Sequence, residues 1–277
     1  MPLISTSELM SEAITSNRGQ AAFNVIHLET AEALVAGAEK AGLPLILQIS
    51  ENCVRYHGGL DALTAATKTL CEQAAVPVAL HLDHAEDERL ALEAVDLGFG
   101  SIMFDGSTLS YGENVAATAR VTEYAHSKGV YVEAELGKVG GKDGAHAPGV
   151  RTDPREAKEF VAATGVDALA VAVGSSHAMT EKTSTLDMGL IKALRDALSV
   201  PLVLHGSSGV PDGELISAVR AGMTKINVST HLNAVFTRAI RGCLESNDKV
   251  VDSRKYIGAG RDALVPEAAR MLSLING

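Results

Sequence analysis

The sequence predicts an α/β fold, a (β/α)8 TIM barrel forming a single domain over residues 1–277 with an additional C-terminal helix. Three observations predict it. Eight short β-like runs alternate with helical patterns along the whole chain, which is the signature of parallel βα units. Helical stretches close on Gly42, Gly98, Gly129, Gly165 and Gly222, each just before the next strand, where a left-handed residue ends a helix. The G-x-G-x-x-G of an open doubly wound sheet does not follow the first strand, which leaves closure of eight units into a barrel.

Taken in order, Ser5 and Glu8 form a capping box ahead of Leu9, Met10, Ala13 and Ile14. Strands are expected over 21–26, 44–49, 77–82, 101–104, 130–136, 168–173, 201–204 and 224–228. Between them, apolar residues at i, i+3 and i+4 predict helices, as in 30–41, 63–74 and 157–163. Two connections are long for βα loops. Residues 137–154 are glycine-rich without periodicity, and residues 174–185 are polar and carry His177 and Lys182. Long loops after barrel strands lie on the catalytic face. Residues 261–275 read as one further helix.

Composition narrows the function classes. The chain is 46% hydrophobic and 21% charged, enough for a sizeable core in a soluble domain. No apolar run approaches the roughly 20 residues of a membrane span, and no signal peptide is legible. Cys53, Cys71 and Cys243 are odd in number and form no CxxC, so reduced thiols and a cytoplasmic location are expected. A net charge of −10 without a basic run argues against nucleic acid.

The chemistry centres on His81-Leu82-Asp83-His84. An apolar run precedes it, and residues 85–89 read as the opening of a helix. A strand that ends in His and Asp and feeds a helix is the layout of a barrel's catalytic rim; alone, it could equally be a polar loop capping a helix. His84 follows the third strand, His177 the sixth, and His205 ends the seventh. All three fall at strand C-termini on one face. Three imidazoles with an open position make a catalytic divalent-metal site, most naturally zinc. His81 points the same way as Asp83 and either orients it or fills the barrel. Asp105 follows the fourth strand, and Glu133 and Glu135 share a face of the fifth. Carboxylates facing into a barrel need cations, either at a second metal position or as hydrogen-bonded support for the histidines. Gly206-Ser207-Ser208-Gly209 and Asn227-Val228-Ser229-Thr230 follow strands seven and eight, where barrels bind phosphate; singly, each is also compatible with a tight turn and a cap.

Six segments together resemble a known family. They are Ala22-Phe23-Asn24-Val25, His81-Leu82-Asp83-His84, Val132-Glu133-Ala134-Glu135-Leu136-Gly137, Leu204-His205-Gly206-Ser207-Ser208-Gly209, Lys225-Ile226-Asn227-Val228 and Asp252-Ser253-Arg254-Lys255-Tyr256. In this order they are similar to the motifs of class II, zinc-dependent fructose-bisphosphate and tagatose-bisphosphate aldolases, across essentially the whole chain. The resemblance implies reversible aldol cleavage of a ketose (bis)phosphate, fructose 1,6-bisphosphate first, to dihydroxyacetone phosphate and an aldehyde such as glyceraldehyde 3-phosphate. Tagatose bisphosphate or another ketose phosphate is the alternative substrate. A non-catalytic phosphosugar-binding or partner subunit is the alternative of another class, and a Schiff-base aldolase using Lys225 is a competing enzyme. A lysine at that position is otherwise a phosphate or carboxylate partner.

Carried over by position, the resemblance implies catalytic zinc on His84, His177 and His205, with Asp83 as acid/base at the C4 hydroxyl. Asp105 and Glu135 would hold a second divalent or monovalent cation. Gly206, Ser207, Ser208, Asn227, Val228, Ser229 and Thr230 would bind dihydroxyacetone phosphate, with Asn227 near the developing enediolate. Ser50 would contact the aldehyde half. Arg254 would reach the distal phosphate of a neighbouring subunit, which implies a homodimer or homotetramer. The chain departs from the family twice. The loop after the fifth strand reads Gly140-Gly141-Lys142-Asp143-Gly144, without the usual glutamate, which leaves Asp143 for proton transfer. Ala178, among the substrate-binding candidates, follows His177 where many members have glycine. Asp143→Ala is expected to slow proton exchange at C3 of dihydroxyacetone phosphate, followed by loss of isotope label; an unchanged rate would place the base elsewhere.

Overall fold

The structure, a computed structural model, describes residues 2–136 and 151–277. Its eight strands are β1 (Gln20–Asn24), β2 (Leu45–Ser50), β3 (Val78–Ala85), β4 (Ser101–Phe104), β5 (Tyr131–Glu135), β6 (Ala168–Ala170), β7 (Leu202–Leu204) and β8 (Met223–Val228). Each pairs in parallel with the next, and β8 pairs with β1, so the sheet closes into the expected barrel.

Helices α1 (Thr6–Thr15), α2 (Leu28–Ala41), α3 (Glu51–His57), α4 (Asp61–Gln73), α5 (Glu88–Asp96), α6 (Tyr111–Ser127), α7 (Pro154–Thr164), α8 (Met188–Ala197), α9 (Asp212–Ala221), α10 (Thr230–Ser246) and α11 (Ser253–Asn276) make up the rest. Local sequence sets their ends. The Ser5–Glu8 capping box is formed, and Asp153 accepts from the first amides of α7. Gly42 and Gly165 end α2 and α7 at φ 64° and 70°, a region that glycine enters without the steric cost of a Cβ.

The barrel is layered by strand alternation. Outward residues such as Phe23, Leu47, Leu80, Ile102, Val132, Leu169, Leu204 and Ile226 pack under the helices. Inward, the bottom is apolar: Ala22, Ile46 and Ala79 lie in register and meet Leu9 and Met10 of α1. Two residues further up each strand the interior turns polar, with Asn24, Gln48 and His81 in register. Another two residues place Ser50 beside Asp83 at the rim. This climb from apolar to polar positions the site at the C-terminal ends of the strands.

Several boundaries differ from the expected ones. β1 runs from 20 to 24, two residues short of its expected end. β3 continues to Ala85, so the helix expected to open over residues 85–89 begins within that stretch at Glu88, where Asp87 caps α5 and its side chain accepts from the Arg89 amide at 2.9 Å. β6 stops at Ala170, because Thr152 takes over the backbone of Ala172, its N–H reaching Ala172 O at 3.0 Å and its hydroxyl accepting from Ala172 N at 2.8 Å. The final helix starts at 253, eight residues before its expected start, and runs through Pro266. Asp143 lies outside the described residues. Among the described residues no helix is long and apolar enough to cross a membrane.

Helix α11 packs across α2 at Gly37, where a Cβ would sit 2.6 Å from Ala268 Cβ and 3.0 Å from Val265 O. Gly37→Leu is expected to lower stability by about 1–3 kcal/mol through overpacking, read as a lower urea midpoint at unchanged slope. A midpoint equal to that of the parent would mean α11 can move away freely.

Candidate active site

A regular strand sends neighbouring side chains to opposite faces, so Asp83 and His84 should not share a pocket. A β-bulge lets them. Pairing between β3 and β4 runs His81↔Ser101, Leu82↔Ile102 and then Ala85↔Phe104, one extra residue on β3. His84 absorbs it at φ 51°, in the left-handed region. The bulge re-aims His84, so both side chains line the same cavity. The backbone strain costs on the order of 1–3 kcal/mol and is carried by the surrounding barrel. Ala178, next to His177, is also left-handed, at φ 58°.

The three strand-end histidines come together. The His84 and His205 ring centroids are 4.6 Å apart, and His177 lies 5.2 Å from the first and 5.9 Å from the second. A nitrogen of each lies within 4.8 Å of the other two, and the same holds for ligand atoms of His84, Asp105 and Glu135. Nδ1 of His84 lies 2.8 Å from Asp105 Oδ2, while Asp105 Oδ1 accepts from the Ser107 hydroxyl at 2.6 Å and amide at 3.2 Å. Nε2 of His205 lies 2.8 Å from Glu133 Oε1. The remaining nitrogens, His84 Nε2 and His205 Nδ1, face each other at 2.8 Å. Imidazoles that each commit one nitrogen to a carboxylate and turn the other to a shared point are built as metal ligands are built. The donor set fits a divalent cation.

Electrostatics follow from the crowding. Burial pulls the His84 pKa down, but Asp83, Asp105 and Glu135 outweigh it and bring it to about 9. Burial, reinforced by the neighbouring His84 charge, holds His205 well below its ordinary value. Burial would raise Asp83; His84, His205, Lys225 and an Asn24 hydrogen bond overcome it and keep the carboxyl below the usual range. The Asn24 amide donates to Asp83 Oδ2 at 2.9 Å, Asn227 Nδ2 stands 3.4 Å from Oδ1, and Gln48 Nε2 steadies Asn24 Oδ1 at 2.8 Å.

A cavity of about 270 Å³ opens over this cluster. Asp83, His84, His177, Ala178 and His205 line it together with Ser50, Gly206, Ser207, Ser208, Asn227, Ser229 and Thr230. Ser207 donates to Asn227 O, and Ser208 Oγ accepts from His231 N at 3.0 Å, tying the two strand-end loops to the start of α10. Four candidates lie elsewhere. Asp105 and Glu135 sit buried beside His84 rather than on the cavity wall. Val228 packs its side chain into the outer core, because it alternates with inward Asn227. Arg254 is exposed on α11 and pairs with Asp252 at 2.9 Å, away from this chain's own cavity.

Other residues enter the site without having been singled out. Gln48, Glu51, Asn52, Arg55 and Glu86 line the cavity; their only sequence signal is position, Gln48 within β2 and the others just after β2 and β3. Glu51 pairs with Arg55 and accepts from the Glu86 amide at 2.6 Å. Arg55 is the single lysine or arginine among the described lining residues. His81 does not orient Asp83: its Nδ1 meets Ser101 Oγ at 2.7 Å inside the barrel. Lys225 is a carboxylate partner, 2.7 Å from Glu133 Oε2 and about 1% exposed.

Residues 4–277 match the family described as fructose-bisphosphate aldolase class-II. The chain belongs to that family. It is 42% identical to a fructose-bisphosphate aldolase of Geobacillus stearothermophilus over 268 residues, 95% of this chain and 93% of the other. It is 38% identical to a fructose-bisphosphate aldolase of Staphylococcus aureus (strain Mu50), covering 95% and 94%. Its fold is similar to that of the YdjI aldolase of Escherichia coli K12, with a TM-score of 0.84, 30% identity and coverage of 99% and 98%. Class-II aldolases are metal-dependent, and the clustered imidazoles of this class-II aldolase are suited to that requirement.

Asp105→Asn is expected to weaken metal binding by about 10–100-fold, since the carboxylate fixes the His84 ring. Competition with a chromogenic chelator reads the affinity, and an unchanged value would show that His84 needs no such support.

Proposed function

We propose that this aldolase cleaves fructose 1,6-bisphosphate reversibly to dihydroxyacetone phosphate and glyceraldehyde 3-phosphate, with zinc held by His84, His177 and His205. The observation that carries the reading is one cavity in which Asp83 stands beside three imidazoles, below loops rich in glycine, serine and threonine. When bound, the metal supplies Lewis acidity that polarises the ketone of the donor half.

The chain's own residues do the rest. Cleaving the C3–C4 bond requires the C4 hydroxyl to lose its proton as the electron pair moves toward C2. Asp83, kept ionised by its cationic neighbours and held by Asn24, takes that proton as general base and returns it in the synthetic direction. Gly206, Ser207 and Ser208, with Ser229 and Thr230 at the N-terminal end of α10, hold the donor phosphate through amides, hydroxyls and the positive end of the helix. Asn227, beside Asp83 and His205, stands next to the reacting carbons, with Val228 serving through its backbone. Ala178 shapes the wall beside His177, and Ser50 meets the aldehyde half. Asp143 manages the proton at C3. Asp105 and Glu135 offer a second cation position or support His84. Arg254 completes the distal phosphate site of a neighbouring subunit, so the working form is a homo-oligomer in the cytoplasm, and residues 1–277 act as one catalytic domain.

Tagatose 1,6-bisphosphate differs only at C4, so the deciding assay follows release of dihydroxyacetone phosphate from both sugars by zinc-loaded and chelated protein. Chelator-sensitive cleavage of fructose 1,6-bisphosphate, faster than of its epimer, is expected. No chelator-sensitive release from either would sink the reading. Asp83→Ala is expected to retain zinc and to lose about 10²–10⁴-fold in kcat, the usual worth of a positioned general base; near-normal kcat in a zinc-replete variant would remove Asp83 from proton transfer.

A further inference from the structure

An uninterrupted hydrogen-bonded column crosses the barrel interior from its floor to the metal-type cluster. Thr6 Oγ1 of α1 meets Ser101 Oγ at 2.6 Å, and Ser101 Oγ meets His81 Nδ1 at 2.7 Å. His81 Nε2 lies 3.4 Å from Lys225 Nζ, which lies 2.7 Å from Glu133 Oε2. Glu133 Oε1 then reaches His205 Nε2 at 2.8 Å, and His205 Nδ1 faces His84. Every member from Ser101 to His205 is about 1% exposed or less.

The direction of this column is determined by the Lys225–Glu133 pair at its middle. An ammonium only donates and a carboxylate only accepts. His81 Nε2 faces the ammonium, so it accepts, and its hydrogen lies on Nδ1 toward Ser101. Ser101 in turn passes its own hydrogen to Thr6. On the other side, Lys225 occupies Oε2 of Glu133 and leaves Oε1 to accept from His205. The His205 hydrogen is therefore on Nε2, and Nδ1 keeps the lone pair that faces the cluster. The Asn227 amide nitrogen also stands 3.2 Å from His205 Nε2, but the carboxylate is nearer and cannot donate. Burial, then the Lys225 charge, holds His81 well below its ordinary pKa, in keeping with a neutral acceptor.

We propose that Lys225 is a positioning residue that acts through Glu133 to set the tautomer and orientation of His205, and so presents His205 Nδ1 to the metal. It never touches substrate; its effect is transmitted through two buried hydrogen bonds. The proposal rests on the metal-site reading for its consequence, but its tautomer can be read without any metal.

The test is a double-mutant cycle on the full chain with Lys225→Met and Glu133→Gln. In ¹⁵N-histidine spectra of the metal-free parent, His205 is expected to be the Nε2–H form, and Lys225→Met to shift that tautomer. Zinc affinity, measured by chelator competition, is expected to fall 10–100-fold in Lys225→Met. In the Glu133→Gln background the same Lys225→Met change is expected to alter zinc affinity by less than about twofold, because the path to His205 is already cut. Equal loss in both backgrounds, or a folded Lys225→Met variant with the parental tautomer and affinity, would overturn the proposal. If Lys225→Met does not fold alone, the double variant, free of a stranded charge, is compared with Glu133→Gln under the same twofold limit. Failure of the parent to bind zinc would count against the metal reading, while the tautomer measurement would still decide the role of Lys225.

Discussion

Charge enclosed in a barrel has to be paired, and the pairing of Glu133 with Lys225 and His205 is the constraint on which the site depends. An unpaired carboxylate or ammonium at this depth would cost several kcal/mol. Here both oxygens of Glu133 have donors, one from each side. The lower partner ties the pair to His81, Ser101 and the α1 floor, and the upper one delivers it to the histidine cluster. Structural support and the orientation of a ligand are thus one network, in a layer that is polar yet buried.

The second constraint is local strain. A strand offers one inward side chain in two, and the cluster needs both Asp83 and His84. The bulge supplies the extra residue, and the left-handed backbone at His84 turns its ring toward His177 and His205. Asp105 then holds the ring from behind. Strain of this kind persists only where the surroundings over-determine it, and β3 is paired with β2 from Val78 to Asp83 and with β4 on both sides of the bulge, at His81, Leu82 and Ala85.

The two ends of the cavity differ in charge. The end formed by the loops after β7 and β8 offers amides and hydroxyls at the start of α10, chemistry suited to an anion. The opposite end gathers Glu51 and Glu86 around Arg55, so within one chain it is net acidic. Under the proposed reaction, an arginine from a neighbour would correct that balance, and the exposed position of Arg254 leaves it available for such a role. Fold, cluster and cavity therefore point to the same chemistry.

The sequence by itself determined the barrel and the face on which chemistry sits. Alternation of strand and helix patterns, the glycines that end helices, and the capping box are local properties, written in neighbouring residues. So is the placement of His84, His177 and His205 at strand ends. Tertiary structure alone decided which carboxylate stands behind which histidine, because Glu133 and His205 are 72 residues apart and meet only when the barrel closes. It decided the bulge, since register is a property of two strands. It moved Val228 to the outer core, excluded Arg254 from its own cavity, and gave His81 to Ser101 and Lys225 rather than to Asp83. Residue types and spacing could nominate the actors, but their partners depend on distances that exist only in the folded chain.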